Sequence, residues 1–254
     1  MIRPFYRIVR KQPVPDALGL YFVDLSAIAK ENAQAVPYCI PNELICGEIG
    51  RLLGLPIPPI GLISPTAVAA PDEIMVATLD FNFTGVIALP AIEPADCVSA
   101  HPWLSAGTVV FDILIANPDR TRDNLSLDTS VTPPRLSVFD HGDALFGHDK
   151  GKGADRLAEV ETQLGIIRGG SRHCLIDKLT VIKDLQEWID RVRGIPSYFL
   201  DDVCSRADGL GATTAEIEAA KNFLKHRRDS IHQLIEHHKA EFKGIDTKLW
   251  SSLT

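Results

Sequence analysis

Three side chains suited to chemistry stand close together in FDILIANPDRTRDNLSLDTSVTPPRLSVFDHG, residues 111–142. Asp119 and Asn124 are five residues apart in a tight polar loop that begins at Asn117-Pro118, and Asp140 follows a short alternating stretch, Leu136, Val138 and Phe139. An apolar run, residues 111–116, feeds the loop. Two carboxylates and an amide therefore stand at the ends of buried elements, where a charge costs free energy unless a ligand or metal compensates it. Phosphoryl transfer uses such a set. An Asp positions or deprotonates the attacking hydroxyl, and an Asn with a second Asp holds Mg²⁺ against the nucleotide phosphates. In that assignment Asp119 is the catalytic base, Asn124 and Asp140 are the metal ligands, and ATP with Mg²⁺ is bound.

The step from Asp119 to Asn124 reproduces the spacing in the kinase catalytic loop, and Asp140-His141-Gly142 after a strand matches the kinase D-F-G turn. Taken singly, each is an ordinary polar turn; their order and placement carry the argument. N-P-D-R-x-x-x-N followed by F-D-H-G resembles the HipA-like kinases and, more distantly, the phosphoinositide kinases. N-E-L at residues 42–44 and G-R-L-L-G-L-P-I-P-P at residues 50–59 are also similar to the HipA-like pattern. The resemblance implies a serine/threonine-type protein kinase that transfers the γ-phosphoryl of ATP to a protein hydroxyl. It also implies an antitoxin-like protein partner, and a role for Glu43 in orienting the lysine that grips the phosphates.

One departure stands out. In that family a strand near residues 21–23 ends in the phosphate-binding lysine, and the corresponding place here holds Asp24. A carboxylate repels phosphate where an ammonium attracts it. Lys11 and Lys30 lie nearby and either substitutes only if the backbone brings it round; both read first as solvated surface charges, and no glycine-rich loop precedes the strand. Glu43 is then expected to lack its usual partner. This motivates a second reading, a catalytically impaired pseudokinase that serves as a nucleotide- or protein-binding module. A third keeps the fold but moves the acceptor to a lipid head group or small molecule; the net charge of −7 makes an anionic membrane surface a poor partner for it.

The elements that must position these residues follow from periodicity. Ile8-Val9 and residues 21–23 read as β-like runs. Residues 41–54 read as a helix, with Pro41 in its first turn, Gly54 at its end, and Leu44, Ile45, Ile49, Leu52 and Leu53 at helical spacing. Glu43 falls in that first turn, where the helix dipole favours a carboxylate. Residues 61–64 and 74–78 read as a strand pair across the turn Pro71-Asp72-Glu73. The resemblance to the HipA-like kinases implies that the second strand leads to a hinge near residues 79–83 where adenine stacks; Phe81 and Phe83 read equally as adenine-stacking rings or core. Residues 103–116 are a strongly apolar helix. Residues 143–156, with Gly147, Gly151, Gly153, Lys150 and Lys152, have the composition of a mobile loop. A helix spans residues 179–193. A last long one starts at a Thr213/Glu216 capping box, with Ile217, Phe223, Leu224, Ile231, Leu234, Ile235 and Phe242 as its apolar stripe. Lys225, His226, Arg227, Arg228, His232, His237 and His238 read as its solvated face rather than a metal box.

The expected fold class is therefore α+β and two-lobed like a protein kinase. A small β-rich N-lobe over residues 1–90 carries one helix, and a mainly helical C-lobe over residues 91–254 carries the catalytic and metal-binding loops. The 45% hydrophobic and 23% charged fractions are those of an ordinary globular protein. The negative net charge argues against direct nucleic-acid binding. No signal peptide or membrane span is expected. The five cysteines, Cys39, Cys46, Cys97, Cys174 and Cys204, are scattered without a C-x-x-C pair, which fits a reducing, cytoplasmic setting.

Overall fold

A computed structural model of the chain describes residues 8–15, 18–66, 70–82, 89–168 and 171–252. The first two strands, β1 (Ile8–Pro13) and β2 (Tyr21–Leu25), form an exposed antiparallel hairpin with Lys11 opposite Val23. The chain bends at Ser26 and enters a further strand at once, β3 (Ala27–Lys30). β3 and β4 (Ile60–Ile63) flank β5 (Met75–Leu79), both antiparallel to it. Lys30 and Leu62 both pair with Val76, so these three share one face of the sheet. Helix α1 (Cys39–Leu53) packs on that face, where a Cβ on Gly47 would stand 3.0 Å from Ile60.

The helix starts earlier than Pro41 suggests, at Cys39, and the Asn42 N–H bonds the Tyr38 carbonyl at 2.9 Å. Glu43 therefore lies beyond the first turn, and the dipole is not what holds it. Gly54 ends the helix in the left-handed conformation, φ +86°, with its N–H on the Arg51 and Gly50 carbonyls.

The remainder is mainly helical. α2 (Pro94–Ala100) leads into α3 (Pro102–Leu114), whose residues 105–114 are buried without exception. A hairpin of β6 (Leu125–Asp128) and β7 (Arg135–Val138) follows the polar loop, with Leu125 opposite Val138. Then come α4 (Gly153–Val160), a short strand pair β8 (Ile167–Arg168) and β9 (Ser171–Arg172), α5 (Ile182–Arg193), α6 (Ser197–Ser205) and α7 (Thr214–His237). No single helix among the described residues is long and apolar enough to cross a membrane.

Where α5 crosses α3, the Trp188 indole N–H donates to the Trp103 carbonyl at 2.7 Å and its ring covers Gly107. A Cβ at Gly107 would stand 2.2 Å from that ring, so the crossing requires glycine. Gly107→Ala is expected to lower stability by about 1–3 kcal/mol through overpacking. The check is a urea midpoint, and an unchanged midpoint would refute the packing argument.

The capping box forms as the sequence predicts, with Thr213 Oγ1 accepting the Glu216 N–H and the Glu216 carboxylate accepting the Thr213 N–H. One residue of α7 departs from expectation. Arg227 is fully buried rather than solvated. Its guanidinium donates to the Ile113 carbonyl at 2.6 Å, to the Val160 carbonyl at 2.5 Å and to the Gln163 carbonyl, so one cation closes the C-terminal ends of α3 and α4. Burial pulls its pKa down to about 9. The signal was present in the spacing, because Arg227 stands four residues from both Phe223 and Ile231 on the core stripe.

Candidate active site

α3 ends at Leu114, and Ala116 turns the chain through a left-handed conformation, φ +48°, into Asn117-Pro118. The polar loop hangs from a residue inside the helix, Asp112. Its carboxylate is wholly buried and accepts from Arg120 Nε (2.8 Å) and Nη2 (3.1 Å), from Asn117 Nδ2 (3.0 Å) and from His173 Nε2 (2.9 Å). Burial alone would raise the Asp112 pKa; the Arg120 charge and the His173 hydrogen bond outweigh it and hold it well below the usual carboxylate range. Asn117 in turn accepts the Asp119 N–H at 3.1 Å. Arg120 reaches across with Nη1 to the carbonyls of Asn124 (2.9 Å) and Phe139. One guanidinium thus ties the loop of Asp119 to the turn of Asp140. Arg120 gave no sign of this in the sequence beyond its place in D-R-x-x-x-N.

Asn124 Nδ2 donates to the Asp119 carbonyl at 2.6 Å and to Asp119 Oδ2 at 3.2 Å. The Asp119 pKa is raised, by burial first and then by the nearby Asp143 and Asp140 carboxylates. Asp140 sits at φ +61°, a left-handed conformation that Asp tolerates better than most residues and that recurs where a turn serves a site. Asp119 and Asp140 line one cavity of about 410 Å³ together with Lys30, Cys39, Gly142 and Asp143.

Lys30 corrects the sequence reading. Its Nζ is 2.5 Å from Glu43 Oε1 and 2.8 Å from Asp140 Oδ1. Burial works against its charge, but Glu43 and Asp140 hold its pKa above the ordinary lysine value. A lysine therefore stands at the site, and Glu43 has a cationic partner. Asp24 is elsewhere, on the exposed hairpin, paired with Arg10 at 2.6 Å. Lys11 lies over the Tyr21 ring on the same hairpin, 3.6 Å from its centroid. The expectation failed because the strand at residues 21–23 is followed by another almost immediately. The chain bends at Ser26, and the lysine belongs to the second strand.

Glu43 also meets His141, whose Nδ1 is 3.3 Å from Oε2. Burial would raise the Glu43 pKa, yet the His141 hydrogen bond and the Lys30 charge pull it down to about 2. Its neighbour Asn42 donates to the Gly142 carbonyl at 2.6 Å and accepts the Phe146 N–H at 3.2 Å. Two adjacent residues of α1 thereby grip the whole Asp140-His141-Gly142 turn.

The segment after this turn is not the free loop that its glycines suggest. Residues 144–147 are buried, and Arg156 donates to the carbonyls of Leu145 and Ala116. Gly151 N–H donates to the Tyr38 hydroxyl at 2.6 Å, and Gly153 N–H donates to Glu216 Oε1 at 3.0 Å. Lys150 and Lys152 remain exposed.

The chain is similar to the crystal structure of a Helicobacter pylori proinflammatory kinase, CtkA, with a TM-score of 0.55 and 15% sequence identity over 94% of this chain and 96% of that chain. It has a two-lobed kinase-like fold. No family model matches the sequence, and no curated protein matches it.

In this kinase-like fold a second cavity, about 360 Å³, adjoins the first through Lys30 and Asp140. Ile28, Leu79, Phe81, Leu89 and Phe139 give it apolar walls, and Thr78, Asp80 and Asn82 add polar groups at the hinge. Phe81 is thus a cleft residue, packed on Phe139 with ring centroids 5.3 Å apart; Phe83 lies outside the described residues. The apolar slot opens onto one lysine, Lys30, and the carboxylates of Glu43 and Asp140. No group of three or more His, Cys, Asp or Glu that could hold a metal alone occurs among the described residues.

Proposed function

We propose that the chain is an ATP- and Mg²⁺-dependent phosphotransferase of the HipA-like kinase type, acting on a protein hydroxyl. The observation that carries this reading is Lys30, held between Glu43 and Asp140 at the mouth of an apolar cleft. Bound Mg²⁺ would neutralise charge on the β- and γ-phosphates. The chain's residues do the rest. Lys30 meets phosphate oxygens and Glu43 keeps it extended; Asn124 and Asp140 offer side-chain oxygens to the metal. Asp119 accepts the hydroxyl proton at a carboxylate whose raised pKa brings it nearer to the working pH of a base.

A second reading, binding without turnover, has one observation in its favour. The described turn between β1 and β2 offers Gly19, at φ +76°, in place of a glycine-rich phosphate loop. Mg²⁺ with ATP separates the readings. At a hundred times its Kd the nucleotide is expected to add about 2.7 kcal/mol of stability, read as a rise in Tm that chelation abolishes. A rise accompanied by γ-phosphoryl loss from ATP supports the phosphotransferase; a rise without it supports the binding module. No rise at millimolar Mg-ATP removes the phosphotransferase and leaves the second reading in its protein-binding form.

A further inference from the structure

In kinases switched on by phosphorylation, an arginine near the catalytic aspartate meets a phosphate on the segment that follows the metal-binding turn, and that new ion pair orders both. This chain has the arginine but neither the phosphate acceptor nor the vacancy for it. Between Gly142 and Thr162 the sequence DALFGHDKGKGADRLAEVE contains no Ser, Thr or Tyr. Arg120 is buried, 1% exposed, and its guanidinium is already taken by Asp112.

The counter-charge is built into α3. Asp112 accepts four hydrogen bonds from three residues, and the third of these, His173, comes from beyond β9. The tautomer of His173 follows from its contacts. Leu175 N–H donates to Nδ1 at 3.1 Å, so the ring proton is on Nε2 and points at Asp112 Oδ2. The next residue grips the same loop from its backbone, Cys174 N–H donating to the Arg120 carbonyl at 3.0 Å. Both oxygens of Asp112 are thereby committed, and Arg120 has one orientation, the one that reaches the Asn124 and Phe139 carbonyls. The segment that phosphorylation would order elsewhere is already pinned by Asn42, Tyr38 and Arg156.

We propose that Asp112 and His173 are positioning residues for phosphoryl transfer, a resident counter-charge that aims the Asp119 loop at the Asp140 turn and makes activating phosphorylation unnecessary. The inference rests on the phosphotransferase reading for its rate measurements but not for its structural ones.

The test uses the full chain, stripped with phosphatase and shown by intact mass to carry no phosphate, beside His173→Leu and His173→Gln. The stripped wild type is expected to keep its rate of γ-phosphoryl transfer. His173→Leu is expected to lose kcat on the order of ten- to hundredfold with KM for ATP near the wild-type value, as for other supports that act through a neighbour. His173→Gln, whose amide can donate to Asp112, is expected to recover most of the loss. Amide hydrogen exchange is expected to rise at residues 119–124 in the Leu variant and stay unchanged in α7, which separates local misplacement from general loosening. The proposal is overturned if stripping slows the wild type and rephosphorylation restores it, or if His173→Leu keeps both rate and protection. A wild type with no transfer and no nucleotide response sinks the phosphotransferase reading alone, and the exchange comparison then judges the positioning role by itself.

Discussion

Asp119→Asn is expected to lower kcat for γ-phosphoryl transfer by about 10²- to 10⁴-fold, the range for removal of a positioned base. The substitution preserves shape and removes only the ability to take a proton. The side chain is not part of the core: its oxygen contact is the long one to Asn124, at 3.2 Å. The loop is held instead by backbone and by Arg120, through the Asp119 N–H on Asn117, the Thr121 N–H on the Asp119 carbonyl at 2.8 Å, and the guanidinium bonds. Folding and Mg-ATP binding should therefore persist, and the nucleotide-dependent rise in Tm should match that of the wild type. A variant that labels substrate at the full rate would show that the proton goes elsewhere. The contrasting change is Lys30→Met, which removes the cation proposed to meet the phosphates and leaves Glu43 buried without it; this one should abolish the nucleotide response as well as the rate.

Asp112→Ala is expected to cost about 3–5 kcal/mol, the loss that follows when one partner of a buried ion pair is deleted. Arg120 would be left fully buried with its charge uncompensated, and His173 with a donor and no acceptor. For a chain of this size that corresponds to a fall in Tm of roughly 10 °C. The same cluster sets the acid limb of stability. Asp112 has a folded pKa held below its unfolded value of about 3.9, so its contribution is complete above that pH and is lost as the pH falls below it. His173 has a pKa lowered, by burial first, against an unfolded value of about 6.5. The unfolded chain then binds a proton that the folded chain refuses, so stability begins to fall as the pH drops through 6.5 and continues downward. Thermal melts from pH 8 to pH 4 should show Tm declining from the neutral side, and His173→Leu should flatten the upper part of that decline. A wild-type Tm independent of pH over this range would contradict the burial of a neutral imidazole.

The sequence and the structure agree most closely where contacts are short in chain separation. Asp119 and Asn124 lie in one tight loop, so their spacing alone brings them together. Asp140 leaves β7 beside them because a hairpin, β6–β7, returns the chain to the place it left, with Phe139 N–H on the Asn124 carbonyl at 3.3 Å. The 3.6-residue spacing, one glycine stop and one capping box point to helices over residues 41–54 and from Thr213 to beyond Phe242; the structure has them at Cys39–Leu53 and Thr214–His237, with Phe242 past the end of the second.

The disagreements have a common physical cause. Lys30 and Arg227 are cations, and a cation in a sequence is by default a surface residue. Whether it is buried depends on acceptors contributed from far along the chain: Asp140 for Lys30, 110 residues away, and the Ile113 carbonyl for Arg227, 114 residues away. Likewise the glycines of residues 143–156 suggest freedom, yet the Asn42 amide on α1, the Tyr38 hydroxyl just before it, the Arg156 guanidinium on α4 and the Glu216 carboxylate on α7 hold that segment in place. What the linear order determined by itself was that Asp119, Asn124 and Asp140 stand close together, along with the helices that flank them. Only the tertiary structure decided which lysine stands beside them and that His173 closes on the buried Asp112, because those contacts join elements 110 and 61 residues apart, and such contacts have no period along a chain.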